Sequence, residues 1–149
     1  MLTRSVMSKG VQKRPDDLKI LSEQQCRELL ASKDLGRIAF PVGEETEIFP
    51  VNYSTDGVIV VFRTGTGTKL AHSTVSRVAF EVDEWDSAGK VGWSVVLKGV
   101  AHEVTHGTDP FSSALQTSKV VPLAPGGHGY LIAIYPAQIS GRRFRGGQA

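Results

Sequence analysis

Val58-Ile59-Val60-Val61-Phe62-Arg63-Thr64-Gly65-Thr66-Gly67-Thr68-Lys69-Leu70 runs from an apolar strand into a glycine- and threonine-rich turn carrying two cations. In an extended chain Val58, Val60 and Phe62 share one face and Ile59, Val61 and Arg63 the other, so the strand is apolar on both sides. A barrel buries only one face of its strands, and a partner subunit is the economical cover for the outer one. The turn that follows suits a phosphate cradle. Arg63 can fork two N–H groups onto phosphate oxygens, Lys69 adds a point charge, and Gly65 and Gly67 let backbone amides converge on an anion. Thr64, Thr66 and Thr68 contribute short hydroxyl donors. An ordinary hairpin loop with solvated cations satisfies the same spacing.

Two familiar phosphate motifs fail on spacing. The nucleotide P-loop needs a glycine before its lysine, where Thr68 stands, and the dinucleotide fingerprint needs a glycine where Leu70 stands. A single phosphate is the better fit.

Outward from this stretch the signal is largely β. Leu35 to Val42, Glu47 to Ser54 and Val58 to Phe62 form a meander joined at Gly43-Glu44-Glu45 and Asp56-Gly57. Arg77 to Trp85 places Val78, Phe80 and Val82 on one face and Ala79, Glu81 and Asp83 on the other. Trp93 to Thr105 reads as a long strand with a bend or bulge at Gly99, and Tyr130 to Tyr135 with Ala137 to Ile139 as a last strand interrupted at Pro136. Ser22, with Gln25 three residues on, forms a capping box for a short helix that puts Cys26, Leu29 and Leu30 on one face. Cys26 there is a small core residue. A second short helix is expected after Asp109-Pro110, and a loop from Pro122 to Gly129. Residues 1–17 form a polar, basic arm, 18–145 the domain, and 146–149 a tail.

The bulk properties agree with one soluble globule: 149 residues, 40% hydrophobic and 21% charged. No apolar run is long enough for a membrane span or a secretory signal, and the lone Cys26 forms no intrachain disulfide, so a cytoplasmic protein is expected. The net charge of +2 is spread unevenly. The basic surplus sits in residues 1–19 and at Arg142, Arg143 and Arg145, while the stretch between is acidic, which argues against nucleic acid as a partner.

His102-Glu103-Val104-Thr105-His106 matches a zinc-protease pattern literally. That pattern works on a helix, where histidines four apart share a face. Here Val96, Val100 and Val104 favour a strand, in which the two rings would sit roughly 13 Å apart. Asp109 is the only carboxylate side chain after Glu103. No metal site is assigned: His102, His106 and His128 are read as surface or loop residues, and His72 as exposed.

The run Asp56-Gly57, Phe62-Arg63-Thr64 and Gly67-Thr68-Lys69-Leu70 resembles the flavin-binding split-barrel family typified by pyridoxamine 5'-phosphate oxidase. Leu35-Gly36-Arg37-Ile38-Ala39, Pro50-Val51-Asn52-Tyr53, Val78-Ala79-Phe80-Glu81-Val82-Asp83, Gly92-Trp93-Ser94-Val95 and Ile139-Ser140-Gly141-Arg142-Arg143 follow the family's order over roughly residues 18 to 145. The resemblance implies a mainly β fold, an FMN-binding split barrel with short helices, working as a homodimer with flavin at the subunit interface and a small-molecule substrate. It further implies that Arg63, Thr64, Thr68 and Lys69 hold the phosphate of flavin mononucleotide (FMN) and that Val51, Asn52 and Phe62 line the ring system. Trp93 and Ser94 would approach the flavin from the neighbouring subunit, and Arg142 and Arg143 would close the site. The chain is shorter than pyridoxamine phosphate oxidase and lacks that enzyme's full set of substrate-phosphate residues. The expectation is therefore an FMN-dependent oxidoreductase of unspecified substrate, with a 5-deazaflavin-dependent reductase or a non-enzymatic flavin or haem module as alternatives. No side chain is assigned as catalytic, because flavin carries its own redox chemistry.

Overall fold

The computed structural model describes residues 17–64, 76–104 and 130–146. In chain order they form β1 (Leu18–Ile20), α1 (Glu23–Ala31), β2 (Leu35–Val42), β3 (Glu45–Thr55), β4 (Val60–Thr64), β5 (Ser76–Asp86), β6 (Val91–Glu103) and β7 (Tyr130–Arg145). The strands make one antiparallel sheet in the order β1-β7-β4-β3-β2-β5-β6, and β6 pairs again with β7, closing the barrel. The last strand is shared. Its first residues pair with β4, from Tyr130 opposite Thr64 to Ile134 opposite Val60, whereas its last residues pair with β1, from Arg142 opposite Ile20 to Phe144 opposite Leu18. Throughout, β6 lies along its other edge.

Alternation along each strand decides what fills the barrel. Ile38 and Phe40, Val51 and Tyr53, Val60 and Phe62, Val78, Phe80 and Val82, and Val95 and Leu97 all point inward and are buried in one cluster. Helix α1 adds Cys26 and Leu30 to that cluster, with Leu29 packed against it. Its start is the expected capping box: the Ser22 hydroxyl accepts from the Gln25 N–H at 3.2 Å, and the Gln25 side chain accepts from the Ser22 N–H at 2.9 Å. The Tyr53 hydroxyl donates to the Leu30 carbonyl and the Tyr53 N–H to the Asp34 carbonyl at 3.0 Å, which fastens the helix and the chain beyond it to β3. Burial, with the nearby Asp34 charge, pushes the Tyr53 phenol well above its ordinary value.

Three expectations change. The strand before the cradle begins at Val60 rather than Val58, because the Asp56 carboxylate captures the Val58 and Ile59 N–H groups at 2.8 and 2.9 Å and holds them in a turn. Gly57 in that turn has φ +93°, a conformation that favours glycine, and its carbonyl accepts from the Arg27 guanidinium of α1 at 2.5 Å. The outer face of β4 is also covered within one chain: Ile59 and Val61 are only 2% and 1% exposed, packed with Val104 and Ala133 in a second apolar cluster. The two-sided apolarity of this strand therefore does not by itself require a partner.

The third change concerns β7, which is not broken at Pro136 and does not end at Ile139 but continues to Arg145. Lys98 pairs with Gln138 and Gly99 with Pro136, so Ala137 is an extra residue opposite the ladder, and the bulge accommodates a proline that has no N–H to give. Gly99 belongs there because a Cβ at that position would run into the Tyr135 carbonyl. Strand β1, at residues expected to border the arm, was not legible as a strand. The expected helix after Asp109, the Pro122–Gly129 loop, most of the N-terminal arm and residues 147–149 lie outside the described residues. Among the described residues no helix is long and apolar enough to cross a membrane.

Candidate functional site

The residues singled out by sequence fall into two groups. In the first, strand β4 ends on Arg63 and Thr64, paired with Leu131 and Tyr130 of β7. Thr64 follows Val60 and Phe62 onto the inner side and is only 2% exposed, yet its hydroxyl has no hydrogen-bond partner among the described residues. A buried hydroxyl left unpaired costs roughly 1–3 kcal/mol, so such atoms are uncommon without a use. Arg63 beside it is half-buried and has no ion-pair partner among the described residues. A guanidinium without an ion-pair partner among the described residues, next to an unsatisfied hydroxyl and followed in the sequence by Gly65-Thr66-Gly67, is a donor set suited to an anion. Thr68 and Lys69, which would complete it, lie outside the described residues, as does His72.

Val51 and Asn52 sit on β3 just beyond the Tyr53–Phe62 pair, level with Thr64 and Arg63. Val51 and Phe62 fill the barrel interior, Phe62 completely, so a ligand on the barrel surface meets the backbones of these strands rather than those side chains. The Asn52 amide donates to the Asp34 carbonyl at 3.1 Å.

The second group gathers where β6 begins and β7 ends. Trp93 pairs with Arg143 and Ser94 with Arg142. Trp93 and Arg143 line a cleft of about 440 Å³ together with Lys19, Glu84, Phe144 and Arg145. Glu84 bonds to Lys33 at 2.9 Å, and that hydrogen bond and charge hold its carboxyl below the usual value, with a smaller contribution from the Trp93 side chain. Trp85 stacks on Phe144, one of the cleft's lining residues, with centroids 5.9 Å apart. Sequence reasoning missed Lys19, Glu84, Phe144 and Arg145. The signal available was that Ile139 and Gly141 continue the alternation of β7 past Pro136.

Within one chain the two groups do not meet. By way of β7, the Arg142 row lies twelve residues from the Tyr130 row, roughly 40 Å of strand at 3.3 Å per residue. By the other way round, β3, β2 and β5 stand between Arg63 and Ser94, about 19 Å at 4.8 Å per strand. No single side chain spans either path.

The zinc-like motif begins in a strand, with His102 and Glu103 ending β6 and the His102 ring stacked on Tyr135 at 4.6 Å. That is the extended geometry that keeps histidines four apart from converging. His106 and His128 lie outside the described residues. Among the described residues no three His, Cys, Asp or Glu side chains are grouped to hold a metal.

The family described as pyridoxamine 5'-phosphate oxidase matches residues 22–143. An uncharacterised protein of Mycobacterium tuberculosis, Rv0080, is 32% identical over 129 residues, covering 83% of each chain. Among solved structures, an FAD-binding protein from Mycobacterium smegmatis is 37% identical, with a TM-score of 0.74 over 87% of this chain and 100% of that one. A conserved protein of unknown function from Corynebacterium diphtheriae is 31% identical, with a TM-score of 0.68 over 87% and 99%.

Proposed function

The chain belongs to the pyridoxamine 5'-phosphate oxidase family, and from that membership we propose that it is a flavoprotein oxidoreductase that binds FMN through the end of β4 and the turn that follows. The observation that carries this reading is the unpaired, buried Thr64 hydroxyl next to Arg63, which has no ion-pair partner among the described residues. A phosphate would satisfy both: Arg63 donates N–H groups and neutralises charge, Thr64 supplies a hydroxyl donor, and Thr68 and Lys69 extend the same set along the chain. The glycines at 65 and 67 leave room for backbone amides to approach it.

Bound flavin would supply the redox chemistry. What falls to the protein is binding, orientation and access. The β4 end anchors the phosphate, the β3 and β4 backbones flank the bound group, and the cleft holding Trp93 and Arg143, with Ser94 and Arg142 beside it, offers apolar surface and positive charge for closing the site on a small substrate. Because no single chain unites the two groups, a homodimer that lends the cleft of one subunit to the cradle of the other is part of the proposal. A second reading, FAD, is favoured by the 37% identical FAD-binding protein of M. smegmatis, and its flavin-side phosphate would use the same cradle.

The test is a spectrum of the untreated protein followed by titration with riboflavin, FMN and FAD. Flavin absorbance is expected, with FMN bound at least as tightly as FAD. Arg63→Ala should weaken FMN by roughly 1.5–3 kcal/mol, the range for hydrogen bonds to charged groups, and leave riboflavin unchanged. Equal loss for both would overturn the cradle. A Soret band would point to haem, and a colourless protein that takes up 5-deazaflavin would move the redox assignment to that coenzyme.

A further inference from the structure

We propose that the cleft at the open end of the barrel is a ligand site complete in one chain, and that it takes a small aromatic monocarboxylic acid with its carboxylate toward β1 and β7 and its ring over Trp93. The site goes beyond the flavin reading above and does not rest on it. Val95 and Leu97 of β6 point into the barrel, and Trp93, two residues earlier, shares their face. Register then sets one row across four strands on that inner side: Lys19 opposite Arg143, Arg143 opposite Trp93, and Trp93 opposite Glu84. The next row toward the rim runs Arg145, Val91, Asp86. Ser94 and Arg142, in the row between Trp93 and Val95, alternate to the outside of the barrel.

Both inner rows have the same order, cation, apolar, acid, so the cleft of about 440 Å³ that they line is polarised from β1 to β5. The acid side is already engaged within the protein. Lys33 bonds Glu84 at 2.9 Å and holds its carboxyl below the usual value, and the Asp86 carboxylate accepts from the Ala88 N–H at 3.0 Å. The cation side is not engaged: Lys19, Arg143 and Arg145 have no ion-pair partner among the described residues. Lys19 and Arg143 moreover stand directly opposite each other across an antiparallel ladder, where like charges weaken the pairing. Strand β1 is three residues long and pairs only with β7 among the described residues. The facing cations therefore work against the fold, and a bound anion relieves them.

Charge and shape select that anion. A carboxylate offers two acceptor oxygens, which suit the forked guanidinium of Arg143 with the Lys19 ammonium alongside. Trp93, only 7% exposed, is a fixed apolar floor, and Val91 continues it toward the rim, so the body of the ligand is flat and apolar. The carboxylates of Glu84 and Asp86 on the far side repel a second negative charge there, which disfavours a diacid of the same length.

The probe is trans-cinnamate, followed through the Trp93 indole N–H resonance in nitrogen-15 correlation spectra of the whole chain. Trp85→Phe identifies that signal, since Trp85 and Trp93 are the only tryptophans. Cinnamate should move the resonance saturably, and more weakly as salt is added. Cinnamamide, which lacks the charge, should leave it in place, and 4-carboxycinnamate, which carries a second charge at the far end, should bind more weakly than cinnamate. Arg143→Gln should weaken cinnamate about tenfold or more, as loss of a hydrogen bond to a charged group does, with Arg143→Lys restoring part of the affinity. Lys19→Gln should also weaken binding while leaving the melting temperature unchanged or raised, because it removes one of two facing cations. Should Arg143→Gln fail to fold, Lys19→Gln, exposed at the sheet edge, carries the comparison alone. No shift with cinnamate, an equal response to cinnamamide, a diacid bound as tightly as cinnamate, native affinity in the glutamine variants, or a Lys19→Gln protein that melts earlier would each overturn the proposal. Arg63→Ala should leave this titration unchanged, so failure of the phosphate cradle and failure of the cleft are read apart.

Discussion

The ring of Phe80 occupies the space that a side chain on Gly36 would need: a Cβ built at Gly36 would fall inside the ring's contact distance, with three ring carbons as its nearest neighbours. Phe80 is itself fully buried and packs edge-on against Tyr53, with centroids 5.0 Å apart, so it has no free direction in which to yield. Gly36→Ala should therefore destabilise the fold by roughly 1–3 kcal/mol or more, as overpacked cores do, measured by urea denaturation. A change under about 0.5 kcal/mol would show that the β2–β5 contact is looser than described.

Thr64→Val should act in opposite directions on stability and on binding. Without ligand, removing an unpaired buried hydroxyl should leave stability unchanged or raise it by up to about 1 kcal/mol. With FMN the same variant should lose affinity by roughly 1 kcal/mol, while riboflavin binding stays level. A variant that loses stability but keeps FMN affinity would mean that the hydroxyl serves the fold instead of the ligand.

Burial raises the Cys26 thiol above its ordinary value of 9.0, with the neighbouring Glu23 charge adding to the effect and Arg27 opposing it. A thiol raised on folding lends stability that is fully present below its unfolded pKa and is lost as pH climbs through the folded one. The stability advantage of the wild type over Cys26→Ala should thus be constant near neutral pH and shrink above about pH 9, followed by denaturant titration at several pH values. An advantage that grows with pH would contradict the sign. The native thiol should also resist modifying reagents until the chain unfolds.

The Tyr53 hydroxyl is the only side-chain donor recorded to the Leu30 carbonyl among the described residues. Tyr53→Phe should cost about 1–3 kcal/mol by leaving that carbonyl unsatisfied in a buried position. Proteolysis within α1 should rise in parallel if the bond is what holds the helix to β3; unchanged melting would remove it as a fastening.

His102→Ala should leave folding and flavin binding nearly unchanged apart from the lost stacking on Tyr135, roughly 0.5–1.5 kcal/mol at most, and His106→Ala should do the same. Metal analysis of the purified protein checks the reading directly. One zinc per chain, lost in either variant, would show that these histidines converge despite the strand that carries the first of them.

Much of the barrel was legible because period-two alternation leaves little choice of face. Val78, Phe80 and Val82 had to turn inward together, the Ser22–Gln25 box could only start a helix, and Gly99 marked the bulge where it occurs. Where β4 begins was misread, since Val58 is as apolar as its neighbours and only the Asp56 carboxylate decides that it stays in the turn. Strand β1 was invisible for a related reason: three residues carry no period, and they become a strand only because the far half of β7 lies beside them.

The residue types of the candidate site were readable from local order alone, because a cation, hydroxyls and glycines in a short turn describe their chemistry without reference to the rest of the chain. Their distances were not. That Arg63 and Thr64 belong to one group and Trp93, Ser94, Arg142 and Arg143 to another depends on β7 continuing through its bulge and changing partners from β4 to β1. The cations of the cleft were likewise present in the sequence, yet the row that sets Lys19 and Arg143 beside Trp93 and Glu84 arises from register across neighbouring strands. Short-range steric and hydrogen-bonding preferences are written residue by residue, whereas register and barrel closure are fixed only when all the strands bury their inner faces at once.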